Sequence, residues 1–239
     1  MTEALSNTII LPTDFFVLAI SRDKLMRRKT VRALSISVIL ANSVLLNAES
    51  LAQIPRDWSQ CLGLVGQIAD VVIEGCTAVI QSGQDTSQRL ATAFDNRGVA
   101  YRWKGEYDRA LQDYELAIYL NLDNANAYNN RGIIYRIKGD YDRAIADYDE
   151  AIWLKSGDYP AAFYNRALAY TDKGDYDHAL TDFDVVMRFD AKNALALYAR
   201  GLTLLKSGDA EAGKADIAAA KAINPNIGEQ FDHTESTVR

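Results

Sequence analysis

One pattern is written four times between Ala91 and Pro225, and it constrains the chain more than any other feature. Asn96-Arg97-Gly98-x-x-Tyr101 returns as Asn130-Arg131-Gly132-x-x-Tyr135 and as Asn165-Arg166-Ala167-x-x-Tyr170, with an eroded copy at Arg200-Gly201-x-x-Leu204. A second phrase follows each copy: Gly105-Glu106-Tyr107-Asp108-Arg109-Ala110, Gly139-Asp140-Tyr141-Asp142-Arg143-Ala144, Gly174-Asp175-Tyr176-Asp177-His178-Ala179 and Gly208-Asp209-Ala210. The glycines that open these phrases stand 34, 35 and 34 residues apart. A fixed period of this length marks stacked repeats, in which each unit buries its apolar face only against its neighbours.

The second copy, residues 125–159, serves to read the unit. Tyr128, Arg131, Gly132 and Tyr135 recur at i, i+3, i+4 and i+7, a helical period. Gly139 is expected to end this helix in the left-handed conformation that only glycine adopts without penalty. Asp140 then N-caps a second helix, and Asp142 in its first turn suits the helix dipole. Ala144, Tyr148, Ala151 and Ile152 form the second helix's apolar stripe, so the unit reads as an antiparallel helix hairpin. Small residues (Gly132, Ala144) permit close helix approach and tyrosines fill the gaps, with Gly98, Ala110, Tyr101 and Tyr114 in the first copy and Ala167, Ala179, Tyr170 and Phe183 in the third. Arg97, Arg131, Arg166 and Arg200 each precede an aspartate by sixteen residues (Asp113, Asp147, Asp182, Asp216), which points to a ladder of ion pairs holding the hairpins in register rather than to a ligand site. At a partly exposed site each rung would contribute about a kcal/mol or less.

This placing of small and aromatic residues in a 34-residue unit resembles the tetratricopeptide repeat, in the Asn-Arg-Gly form common in bacterial proteins. The resemblance covers about 135 residues and implies an all-α fold, a right-handed superhelical solenoid of antiparallel helix hairpins. The units are then 91–124, 125–159, 160–193 and 194–225, with 226–239 a short cap and disordered tail. Departures are the missing helix-ending prolines (Leu122, Ser156 and Ala191 stand there) and the alanine-rich fourth unit. In the family, the first helix of each hairpin lines a concave face that binds peptide or protein segments. By position that face would be built from Asn96, Arg102 and Trp103, then Asn129, Asn130 and Arg136, then Tyr164 and Asn165, and finally Tyr198. Asn96, Asn130 and Asn165 form one rung per unit, and an amide can grip an extended backbone by donating and accepting. The alternative is that these amides bond to neighbouring repeats or to water. The basic clamp of the chaperone-binding members is missing, since Asp95, Val99, Ala161 and Asn165 occupy its places, so no chaperone C-terminal carboxylate is expected as a partner.

The N-terminal third reads differently. Met26-Arg27-Arg28-Lys29-Thr30-Val31-Arg32 is a compact positive segment, Ala33–Leu46 is uncharged, and Ser50-Leu51-Ala52 places small residues before a cleavage site. Residues 26–52 are therefore expected to be a signal peptide, cleaved after Ala52, which implies an exported, periplasmic protein. Residues 1–25 would be an extension or the product of a start placed upstream of Met26. Cys61 and Cys76 both follow the cleavage site, and in an oxidising compartment a lone pair of thiols is expected to bridge, two buried thiols being the alternative. Residues 53–90 then form a capping helical hairpin, pinned by that disulfide.

Charge and chemistry narrow the function. Removing residues 1–52, with six basic and four acidic residues among them, leaves 20 basic and 28 acidic ones, a net of −8, which argues against nucleic acid as a partner. The two histidines stand apart, His178 in the slot of Arg109 and Arg143 and His233 in the tail, and no phosphate loop, nucleophile motif or metal spacing is present. The expectation is a non-catalytic interaction scaffold with no cofactor and no metal, binding a protein or peptide on the concave face. Membrane association is expected only if the leader is retained. A self-associating structural subunit of an envelope assembly is the alternative.

Overall fold

A computed structural model describes residues 57–63 and 68–238, all within the unit Leu46–Arg239. The expected leader, residues 26–52, and the extension before it lie outside the described residues. Among the described residues all regular structure is helical: α1 (57–61), α2 (Ala69–Ser82), α3 (Ser87–Trp103), α4 (Tyr107–Leu120), α5 (Ala125–Ile137), α6 (Tyr141–Leu154), α7 (Pro160–Lys173), α8 (Tyr176–Phe189), α9 (Ala194–Ser207), α10 (Ala210–Ile223) and α11 (Ile227–Val238). Four hairpins follow one another, α3–α4, α5–α6, α7–α8 and α9–α10, each packed against the next. None of these helices is long and apolar enough to cross a membrane.

Local chemistry sets the boundaries. Gly139 turns at φ 76°, a conformation in which a side chain would be strained, and the Asp140 carboxylate accepts from the Arg143 amide at 3.1 Å to start α6. Asp175 and Asp209 cap α8 and α10 in the same way, and Asn124 and Asn193 cap α5 and α9. Tyr159 makes no side-chain cap for α7, which instead starts on Pro160, a residue whose missing N–H costs nothing in a first turn. The first unit begins earlier than its expected start at Ala91, because the Thr86 hydroxyl accepts from the Arg89 amide and starts α3 at Ser87. The tail also departs from expectation. Instead of a short cap and disordered end, residues 227–238 form α11, whose first turn is fastened to the last hairpin by Ile227 packed on Leu197 and Ala220.

Within each hairpin the crossing is made at a residue without bulk. A Cβ on Gly98 would lie 2.7 Å from the Tyr114 ring, and one on Gly132 would lie 2.8 Å from the Tyr148 ring. Tyr114, Tyr148 and Phe183 are fully buried, each at the centre of its hairpin. Full burial of such a ring contributes about 2 kcal/mol. The expected ion-pair ladder is present in all four hairpins as paired bonds from Nε and Nη2 of arginine to both carboxylate oxygens. These run at 2.8 and 2.8 Å for Arg97–Asp113, 2.8 and 2.7 Å for Arg131–Asp147, 2.7 and 2.7 Å for Arg166–Asp182, and 2.7 and 3.0 Å for Arg200–Asp216. Burial opposes the charge on Arg131, and the bond to Asp147 more than restores it, raising the guanidinium pKa. Arg166 and Arg200 reach back with Nη1 to Asp149 and Asp184 of the preceding second helix, so the ladder also ties hairpin to hairpin.

The cap is a reduced unit. Helix α2 packs on α3 as a second helix would, and the Cys61 and Cys76 sulfurs lie at bonding distance, 2.14 Å. Trp58 is buried in the same cluster, and its indole N–H donates to Asp85 at 2.8 Å.

Candidate functional site

Successive first helices touch one another, α3 with α5, α5 with α7 and α7 with α9, whereas the second helices make no comparable mutual contact. The first helices therefore line the inner, more tightly curved side of the stack. On that side the Asn rungs face sideways. Asn96 donates to the Cys61 carbonyl at 3.2 Å, Asn130 to the Asp95 carboxylate at 3.0 Å, and Asn165 to the Asn129 side-chain oxygen at 2.9 Å. Each amide N–H thus ties its repeat to the unit before it, which is the neighbour-bonding alternative of the sequence reading. Asn129 is buried as the acceptor of the third tie. Asp95 pays for its position, because burial pushes its carboxyl up to about 6 and the Asn130 bond only partly offsets this.

The register that holds Asp95 and Asn129 in the first two units holds Tyr164 and Tyr198 in the last two. Those rings make an aromatic seat rather than a polar tie. Tyr164 stands edge-on to Phe183 with centroids 6.0 Å apart, and Tyr198 lies 5.4 Å from Phe231 of α11. Phe231 completes a cluster with Tyr164, Leu168 and Ala199. Burial pushes the Tyr164 phenol well above its ordinary value.

Arg136 is the charged centre of this side, only 9% exposed. Its Nη1 donates to Asp172 at 2.9 Å, and its Nη2 donates to the Glu235 oxygens at 3.0 and 3.2 Å. Burial acts against its charge, and Glu235 and Asp172 more than compensate, so its pKa is raised. A cavity of about 260 Å³ opens beside the pair, lined by Arg136, Thr171, Asp172, Leu202, Thr203, Lys206, Phe231 and Glu235. The Thr171 and Thr203 hydroxyls in it are 2.9 Å apart. One repeat away, in the register of Arg136, Arg102 is half-buried and Trp103 is 47% exposed. Arg102 Nε and the Tyr114 hydroxyl are buried with no hydrogen-bond partner, as are Arg136 Nε and the Tyr148 hydroxyl.

The structure thus brings Arg136, Tyr164 and Tyr198 to one helix, α11, with Glu235 on Arg136 and Phe231 against the two tyrosines, leaves Arg102 and Trp103 one repeat away on the same side, and places Asn96, Asn129, Asn130 and Asn165 in the ties between units. The sequence reading missed Asp172, Phe231 and Glu235. Ile227, Phe231 and Glu235 at i, i+4 and i+8 were the available signal of a helix with one docking face. A larger cavity of about 600 Å³ between α2, α3 and α4 is lined by Arg97 and Asp113, whose charges already satisfy each other in the ladder. Among the described residues no group of three or more His, Cys, Asp or Glu is placed to hold a metal ion.

Stacked helix hairpins with one lined inner side define the class: a helical repeat scaffold of the kind that recognises other polypeptides. Family models described as "TPR repeat" and "Tetratricopeptide repeat" match residues 98–136, 125–158 and 160–193. The chain is a tetratricopeptide-repeat protein. The fold is similar to that of YrrB, described as a TPR protein with an unusual peptide-binding site, at 21% identity and TM-score 0.60 over 80% of this chain and 98% of that one. It is similar as well to two structures of MamA, one at 19% identity and TM-score 0.57 over 67% of this chain and 91% of that one, the other at 18% and 0.60 over 77% and 96%. At these identities the likeness is one of fold. No curated protein sequence gives a significant match.

Proposed function

We propose that the chain is a non-catalytic scaffold that binds a peptide or protein segment on the inner side of its repeats, through Arg102, Trp103, Arg136, Tyr164 and Tyr198. Asn96, Asn129, Asn130 and Asn165 form the framed edge of that site, each contributing its remaining amide or carbonyl group where a segment passes. One observation carries the reading: a polypeptide segment, α11, already lies there, with Phe231 on Tyr198 and Glu235 on Arg136. The peptide-binding site in the description of YrrB supports the same use of a similar fold. The tetratricopeptide repeat is generally an interaction module rather than a catalyst, which agrees with a non-enzymatic role.

The test is a photocrosslinking amino acid placed at Trp103, compared with one at Tyr119, which is exposed on a second helix. Crosslinks at 103 and none at 119, in cells that make the protein, are the expected result. Equal labelling at both would remove the inner-side assignment. Export into the periplasm is part of the proposal and rests on residues 26–52 and on the Cys61–Cys76 pair. An intact-mass measurement on the cell-derived protein is expected to begin at Gln53, two hydrogens lighter than the reduced chain.

A further inference from the structure

Helix α11 is attached unevenly. Its first turn is built into the core, since Ile227 is 1% exposed against Leu197 and Ala220, and Gly228 allows an approach to Tyr198 in which a Cβ would lie 3.1 Å from the hydroxyl oxygen. Beyond that turn the helix runs along the inner side, from α9 back toward the earlier first helices. Phe231 enters the Tyr164–Leu168–Ala199 cluster, Glu235 meets Arg136 across 99 residues of sequence, and the helix also touches α3. Ile227, Phe231 and Glu235 lie on one helix face, while Glu229, Gln230, Asp232 and His233 are exposed. A twelve-residue helix is marginal on its own in water, so the last two turns stay helical because they are docked.

The side it covers has room for more. Arg102 holds the place of Arg136 in the unit before it, and each guanidinium lies beside a fully buried tyrosine, Tyr114 for Arg102 and Tyr148 for Arg136. Arg136 has received the Glu235 carboxylate, whereas Arg102 has no ion pair among the described residues. A half-buried guanidinium in the register of Arg136 but without its carboxylates favours an acidic acceptor arriving from outside.

We infer that the inner side is a receptor for an acidic amphipathic helix of a partner protein, one that carries an aromatic residue, a carboxylate four residues later and a further carboxylate reaching Arg102, and that α11 is the chain's own displaceable occupant of that receptor. This narrows, and rests on, the interaction reading above. The aromatic fills the Tyr164–Tyr198 seat and the first carboxylate replaces Glu235 on Arg136. Because α11 competes at the high local concentration of a tethered segment, the resting chain is held closed to weak ligands.

The probe is a fluorescein-labelled peptide with the sequence of residues 224–238, titrated by anisotropy into the full chain at low salt. Wild type is compared with the F231A/E235Q variant, which frees the seat while Ile227 keeps the first turn anchored. The variant is expected to bind the peptide on the order of tenfold more tightly than wild type. Adding R136A is expected to abolish that gain, with circular dichroism melts checking that each variant is folded. Equal binding by wild type and F231A/E235Q, or a gain that survives R136A, overturns the inference. A second measurement does not depend on variants: in wild type with excess peptide, hydrogen exchange at 227–238 is expected to quicken while the repeats stay protected. Unchanged exchange at 227–238 with the peptide bound also overturns it. If the Trp103 crosslinker captures a partner while these arms fail, only the displaceable helix falls. If the crosslinker is silent too, the interaction reading falls with it.

Discussion

The ladder between the helices of each hairpin and the lining of the inner side are built from the same repeats, yet only one of them is uniform. Arg97–Asp113, Arg131–Asp147, Arg166–Asp182 and Arg200–Asp216 repeat one geometry four times. On the inner side neither of the two lining registers keeps one residue through all four units. The register of Asp95 becomes Asn129, Tyr164 and Tyr198, and that of Arg102 becomes Arg136, Thr171 and Leu205. The difference teaches where to look for recognition in a repeat protein. A contact needed by every hairpin recurs with the period, whereas a contact with a non-periodic partner has no reason to.

The largest expected effect falls on the uniform part. Arg131→Ala leaves the buried Asp147 carboxylate without its guanidinium, and removing one member of a buried pair typically costs about 3–5 kcal/mol. A urea melt showing less than about 1 kcal/mol would mean that the ladder is ornamental.

Next in size is a substitution that makes one inner register more alike. Asp95→Asn gives the first junction the chemistry that Asn129 already provides at the second. The Asp95 carboxyl is raised from 3.8 to about 6, so the folded state holds its proton more tightly than the unfolded chain. That contribution to stability is fully present below the unfolded value and is lost as pH rises through the folded one. Asp95→Asn is expected to flatten the fall in stability between about pH 4 and 6, and to leave the variant about 3 kcal/mol more stable than wild type at neutral pH. Denaturant midpoints across that range check it, and a pH profile identical to wild type would contradict the burial argument.

A smaller effect, a loss of about 1–2 kcal/mol, is expected from Gly132→Ala, because the new methyl meets the Tyr148 ring at 2.8 Å. The third unit carries Ala167 at this place opposite Phe183, so Gly132→Ala combined with Tyr148→Phe is expected to recover part of the loss. The smallest effect belongs to the docked helix. F231A/E235Q is expected to change global stability by under about 1 kcal/mol, while amides of 227–238 lose protection from hydrogen exchange. A large global loss would make α11 part of the core rather than an occupant.

Much of the architecture was legible before any coordinates. The Gly-Asp phrase marked the turn and cap because glycine turns freely at φ 76° and the aspartate after it can take the free amide of Arg143. The ladder was legible because sixteen residues joins facing positions of one hairpin. Its strength was not, since the spacing says nothing of the burial of Asp147 that turns a surface pair into a costly one to break. Asn130 and Asn165 were placed on the correct helices, but which way an amide faces depends on what the neighbouring repeat offers, and here it offers Asp95 and Asn129.

Period, caps and small–large alternation are local or recurrent, so the chain of residues alone specified four helix hairpins and the order in which they stack. The seat of α11 was decided only in three dimensions. Glu235 and Arg136 are 99 residues apart, share no period, and meet because the stack brings the inner side back under the C-terminal helix. Long-range docking of this kind depends on the shape that the repeats build together, and no spacing in the sequence records that shape.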